Sequence, residues 1–149
     1  MYLNNYQYLE KKETFKIILL FLVSVAIRIP VILFFGDTYL ENEWGILHYN
    51  LTKHGTLAIK NFDGYLLPNL WMPPLYAYYI YFFSFFKLEH QNFIMLILFS
   101  QVLLASISVI IFYKINKLFF SNKISLFNAL LFSLLPLYAY SCGQISSTS

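Results

Sequence analysis

The sequence predicts an all-α membrane protein with about three transmembrane helices and interfacial juxtamembrane helices in the first external loop. Composition is the first reason. Of 149 residues, 59 % are apolar, 21 % aromatic and only 11 % charged, whereas a globular chain carries roughly 25 % charged residues. Clustering is the second. The only Lys or Arg between Lys16 and Lys53 is Arg28, no acidic residue follows Glu89, and long uncharged stretches separate short polar ones. The net charge of +3 is small and dispersed, with no basic run interleaved with aromatics, so no nucleic-acid partner is expected. Cys142 is the single cysteine. It permits no internal disulfide and has no second Cys or His at metal-ligand spacing, so no structural zinc site is expected.

A bilayer core about 30 Å thick needs about 20 apolar residues at 1.5 Å each. After a cytoplasmic tail over 1–14, the first stretch of that length is 15–35, with Lys16 at its start and Arg28 and Pro30 toward its end. There the arginine is expected to snorkel to the interface. The second stretch, 92–113, is uncharged. Gln101, Ser106 and Ser108 within it read as helix–helix hydrogen-bonding residues. The third, 124–141, carries Pro136 near its end, and 142–149 then forms the external end. Lys11, Lys12 and Lys16 put the N-terminus in the cytoplasm, and Lys114, Lys117 and Lys123 in the turn 114–123 belong on the same side. An even number of crossings must separate the two clusters. The Tyr- and Phe-rich stretch from Leu75 to Phe86 is therefore read as a juxtamembrane or re-entrant helix within the external loop 36–91, and the lipid bilayer is the first expected partner. Arg28 and Pro30 interrupt the first apolar run and no small-residue cleavage site follows, which favours a retained anchor over a signal peptide.

Five of the seven acidic residues, Asp37, Glu41, Glu43, Asp63 and Glu89, fall on the external loop. From Asn42 as an N-cap, Trp44, Leu47, Tyr49 and Leu51 are spaced to lay an apolar face toward the membrane, and Gly55 can end the helix. Glu41 and Glu43 at its start either serve chemistry or merely complement the helix dipole, an effect of a few tenths of a kcal/mol, on the order of ordinary surface values. Trp71-Met72-Pro73-Pro74-Leu75-Tyr76 forms a rigid corner with Pro74 as the first residue of the next helix. Lys53, Lys60, His48 and His54 could meet a phosphate or simply solvate the loop. The triplet Asn50-Leu51-Thr52 matches a glycosylation sequon and is assigned no role.

In this order, Glu41-Asn42-Glu43-Trp44-Gly45-Ile46-Leu47, Asn50-Leu51-Thr52-Lys53-His54-Gly55 and Trp71-Met72-Pro73-Pro74-Leu75-Tyr76 resemble the N-terminal part of the polytopic GT-C glycosyltransferases. The branch is the one holding the protein O-mannosyltransferases and the lipid A aminoarabinose transferase. Leu135-Pro136-Leu137-Tyr138-Ala139-Tyr140-Ser141 looks like the end of that family's next outward span. The resemblance implies transfer of a sugar from a polyprenyl-phosphate donor on the extracytoplasmic face. The first-loop carboxylate would act as the base that activates the acceptor hydroxyl. By register that carboxylate is Glu43, with Glu41 second, because Leu40 stands where one branch has the first acid of its pair. Asp37, His48, Lys60, Trp71 and Tyr76 are the candidate substrate contacts. Met72 stands where several relatives carry Lys or Arg, so the phosphate-binding cation must come from elsewhere. A divalent metal is left open, since members of the wider fold differ on it. Such enzymes have many more spans, so the chain is expected to be an N-terminal fragment, inactive alone, whose partners include the remaining helices of the full-length protein. The rival reading is a small non-enzymatic membrane assembly or lipid-binding protein.

Overall fold

The computed structural model describes residues 2–40, 42–62, 65–68 and 72–145, the side chains of 2–11, 42 and 60–62 excepted. The chain is mostly helical, in the order α1 (Tyr2–Phe35), α2 (Asn42–His54), β1 (Ala58–Phe62), β2 (Tyr65–Pro68), α3 (Pro74–Phe83), α4 (His90–Asn116), α5 (Asn122–Leu134) and α6 (Pro136–Ser141). A 3-10 turn, Ser84–Phe86, follows α3.

Among the described residues, helices α1 and α4 are the two long and apolar enough to cross a membrane. At 34 and 27 residues they run about 51 and 40 Å. Only 22 % of the most apolar stretch of α1 and 33 % of that of α4 are buried. Leu22, Leu33, Ile107 and Ile111 lie on their exposed faces. The two helices are antiparallel, since Glu13 near the start of α1 meets Tyr113 and Lys117 at the end of α4.

The third apolar stretch is not one helix. Leu135 adopts φ −59° and ψ 118° between α5 and α6, because a residue before proline is pushed out of the α region by the proline ring. With 13 residues, α5 rises about 20 Å, short of the roughly 30 Å hydrocarbon core.

Arg28 departs from the sequence expectation. It does not snorkel; it is 1 % exposed. It lies seven residues before Phe35, about 10 Å below the helix end, where hydroxyls reach it first. Its Nη1 donates to Ser24 Oγ at 2.6 Å, to the Ser24 carbonyl at 3.1 Å and to Ser133 Oγ on α5 at 3.3 Å. Ser24 Oγ donates to Ser106 Oγ on α4 at 3.0 Å. One polar knot thus ties α1, α4 and α5. Its Nε is buried without a hydrogen-bond partner among the described residues.

Two apolar clusters flank the knot. Toward the C-terminal end of α1, Ile32, Trp44, Leu47, Ala77, Ile80, Phe83, Phe93, Ile94, Ile97, Leu98 and Val102 close around the junction of α1, α2, α3 and α4. Toward the other end, Leu20, Val109, Tyr113 and Ala129 pack together, with Phe112 stacked on Phe132 at 4.6 Å.

The described residues depart from an all-helical fold in one place. Strands β1 and β2 pair antiparallel, with Phe62 opposite Tyr65. The sequence signal for it is Asp63-Gly64, the dipeptide that two-residue hairpin loops favour.

The knot yields a stability prediction. Because a buried donor that loses its acceptor costs about 1–3 kcal/mol, and the Arg28 guanidinium donates to the Ser24 hydroxyl, Ser24→Ala should destabilise the protein in detergent by that amount. Ser133→Ala, at the longer contact, should cost less. Replacing the guanidinium itself, Arg28→Met, should recover much of the loss in a Ser24→Ala background, since an apolar side chain of similar length needs no acceptor. Denaturant melts of the three variants measure this; equal stability of Ser24→Ala and the parent would exclude the knot as a stabilising element.

Candidate functional site

The loop between α1 and α4 folds as two helices and a hairpin at one end of the bundle. Helix α2 begins at Asn42 and ends where Gly55 takes φ +67°, a left-handed conformation that glycine adopts without steric cost. Gly55 N–H donates to the Leu51 carbonyl at 3.1 Å. Trp44, Leu47 and Leu51 are buried while Tyr49 is exposed. The apolar face of α2 therefore meets protein, not lipid, because α3 and α4 offer it a partner. Asn50 donates from Nδ2 to the Ala58 carbonyl at 2.7 Å, fastening the hairpin to α2. Its amide is 7 % exposed, and so is engaged rather than presented for glycosylation.

Helix α3 starts at Pro74 behind Pro73. Its missing N–H falls where a helix leaves donors unpaired anyway. Tyr76 projects from its first turn against Trp44, edge to face at 4.8 Å, and stacks on Tyr79 at 5.7 Å. Tyr76 Oη accepts from Gln101 Nε2 of α4 at 2.6 Å, and Tyr79 Oη bonds Ser100 Oγ. Burial holds the Tyr76 phenol protonated well above its usual range, with the Tyr79 ring and the Asp37 carboxylate adding to the effect. Asp37 stands two residues past the end of α1. Its Oδ2 accepts from the Ile145 N–H at 2.6 Å, and its own N–H donates to the Gly143 carbonyl at 2.8 Å. A Cβ at Gly36 would stand 2.3 Å from the Ile32 carbonyl oxygen and 2.9 Å from Leu98, so only glycine permits this junction.

A cavity of 530 Å³ opens between α2 and the start of α4. It is lined by His48, Ser84, Lys87 and His90, with Leu40 and Phe93 as apolar walls. His48 Nε2 shares a hydrogen bond with Ser84 Oγ at 2.6 Å, and its ring lies 5.1 Å from Phe93. Burial lowers the His48 pKa below 6.5, and nearby His90 lowers it further. Lys87 has φ 50°, the left-handed region, which costs a side-chain-bearing residue about 1–2 kcal/mol. A neutral imidazole, a hydroxyl and a lysine beside a second imidazole together form an anion-receptive surface.

Of the residues expected to act, Tyr76 packs on Trp44 and bonds Gln101, Asp37 holds the segment at Gly143 and Ile145, and His48 belongs to the cavity. Glu43 is exposed in the first turn of α2, five residues or about 7.5 Å of helix rise from His48, and it does not line the cavity. Glu41, Trp71 and the side chain of Lys60 lie outside the described residues. Sequence reasoning missed Ser84, Lys87 and His90. Their signal is the polar break Lys87-Leu88-Glu89-His90 between two apolar helices. Among the described residues no three His, Cys, Asp or Glu side chains are grouped to hold a metal. No protein-family model, curated protein or solved structure matches the chain.

The His48 contact carries a pH prediction. A histidine whose folded pKa is depressed contributes stability that is fully present above its ordinary value of 6.5 and is lost as pH falls through the folded value. The melting temperature in detergent should therefore be level above pH 7 and fall below about pH 6.5. His48→Gln keeps a nitrogen donor for Ser84 and should shrink that fall; an unchanged profile in the variant would show that other groups cause it.

Proposed function

We propose that the chain is the N-terminal part of an integral-membrane glycosyltransferase that moves a sugar from a polyprenyl-phosphate donor to an acceptor on the extracytoplasmic face. One observation carries this reading. An acid-led helix, α2, packs through Trp44 on the Pro-Pro-led aromatic helix α3, beside a cavity lined by Lys87, His48 and His90 at the end of two membrane-length helices. A lipid-linked donor cannot leave the bilayer, so its phosphate must be met at that depth. Lys87 supplies the cation that Met72 does not. In this reading α5 and α6 together make the third crossing, broken at Leu135, the N-terminus is cytoplasmic and residues 36–91 are outside.

The acceptor hydroxyl oxygen bonds to the anomeric carbon as the bond from that carbon to the phosphate oxygen breaks. Polyprenyl phosphate leaves with the electron pair, stabilised by Lys87, and the hydroxyl proton passes to the Glu43 carboxylate. The rival, a non-enzymatic lipid-binding or assembly protein, draws support from the apolar face that α3 and its 3-10 turn leave exposed, with Leu75 at 82 % and Phe85 at 68 %.

In the full-length protein, Glu43→Gln should lower transfer from a polyprenyl-phosphate sugar by about 10²-fold or more while leaving insertion intact. Glu41→Gln should be milder, and Asp63→Asn serves as the control. Loss on Glu41→Gln alone would move the base by two residues; no effect of either removes the catalytic role of this segment and leaves the rival reading. Lys87→Gly should raise the KM for the donor and yet stabilise the fold by about 1 kcal/mol, because glycine relieves the left-handed strain. A destabilised Lys87→Gly variant with unchanged KM would remove Lys87 from the site. Orientation is checked by a cysteine at exposed position 114 in a Cys142→Ser background, which membrane-impermeant reagent should reach only after the cells are opened.

A further inference from the structure

At the end of the bundle away from α2 and α3, the sequence sets Lys12 and Lys16 four residues apart on α1, which places them on one helical face. Lys114 and Lys117 close α4, and Asn122 and Lys123 open α5. Antiparallel packing gathers these three segments around a second cavity, of 380 Å³, lined by Lys12, Glu13, Lys16, Lys117 and Asn122. The volume lies within the roughly 300–1,000 Å³ of small-ligand sites. Glu13 organises it. Its Oε1 accepts from Lys117 Nζ at 2.5 Å and from Tyr113 Oη at 2.9 Å, and its Oε2 lies 3.6 Å from Lys16 Nζ. Among the described lining side chains one carboxylate stands against three lysines, with Lys114 and Lys123 exposed close by.

We infer that this cavity is a binding site for the headgroup of an anionic phospholipid. Two features select a lipid over a free anion. Leu118, Phe119 and Phe120, immediately after Lys117, are 78 %, 75 % and 51 % exposed, and Phe15, Ile18 and Leu19 are exposed on α1 beside Lys16. These apolar side chains flank the charge and provide a surface for acyl chains, which a soluble phosphate does not need. Basic pockets between helices at a membrane surface hold anionic headgroups by the same complementarity. The site is independent of sugar transfer and of which leaflet it faces.

The test titrates the full chain in non-ionic detergent with dioctanoyl phosphatidylglycerol, dioctanoyl phosphatidylcholine or inorganic phosphate, following lipid retention by native mass spectrometry and the melting temperature. Phosphatidylglycerol should bind and raise the melting temperature, and phosphatidylcholine and inorganic phosphate should not. At about fivefold per lysine, Lys12→Gln should weaken binding about fivefold, and the triple variant Lys12→Gln, Lys16→Gln, Lys123→Gln about 10²-fold. Lys53→Gln, at the other end of the molecule, should bind as the parent does. The single variant, at an exposed residue, keeps the test readable should the triple fold poorly. Equal binding of phosphatidylcholine, an equal shift with inorganic phosphate, or undiminished affinity in Lys12→Gln and the triple would each overturn the assignment.

Discussion

The buried guanidinium of Arg28 is the constraint around which the rest of the structure is arranged. A charge at that depth cannot be left among apolar side chains, and the described residues offer it no carboxylate: the only ion pairs among them lie at Glu13. Hydroxyls do the work instead, from Ser24 on its own helix and Ser133 on α5, with Ser106 of α4 joined through Ser24. Hydrogen bonds are directional where apolar packing is not. The knot therefore fixes the axial register of three helices that could otherwise slide along smooth, similar surfaces.

That register determines what stands at each end. With α1 and α4 held antiparallel, the C-terminal end of α1 meets the start of α4, and the loop between them must fold back over the junction. Gly36 lies so near Leu98 and the Ile32 carbonyl that no side chain fits there. Asp37 then ties the segment at Gly143 and Ile145 to the same place. On this platform α2 and α3 pack through Trp44 and Tyr76, and the His48 cavity forms where α2 faces the start of α4. At the opposite end the same register brings Glu13 to Lys117. The charged side chains that line the two cavities thus stand at opposite ends, with the knot buried between them.

The strained residue Lys87 links structure to proposed activity. A left-handed conformation at a helix end is normally given to glycine or asparagine, and lysine there costs stability. The cost is understandable if the ammonium is needed beside His48 and His90, where a phosphate would require charge. The cavity's neutral imidazole and hydroxyl add donors without adding repulsion between cations.

Much of this was legible in one dimension. Two membrane-length helices follow from apolar runs of sufficient length, one of them uncharged; the start of α3 follows from Pro73-Pro74, and the end of α2 from Gly55, because these features act within a few residues of themselves. The hairpin was legible too, in Asp63-Gly64, but the helical context of the loop concealed it. Other features were decided only by tertiary structure. Arg28 looked interfacial because its distance from the helix end is readable while hydroxyls 78 and 105 positions away, on α4 and α5, are not. Trp44, Leu47 and Leu51 gave α2 an apolar face, yet whether lipid or protein covers such a face depends on what packs beside it. Likewise Lys87 and His90, separated from His48 by about forty residues of chain, become its neighbours only when α4 returns past α2. A sequence records which side chains seek burial or a counter-charge; which partner each one finds depends on long-range chain closure, and that is a property of the folded whole.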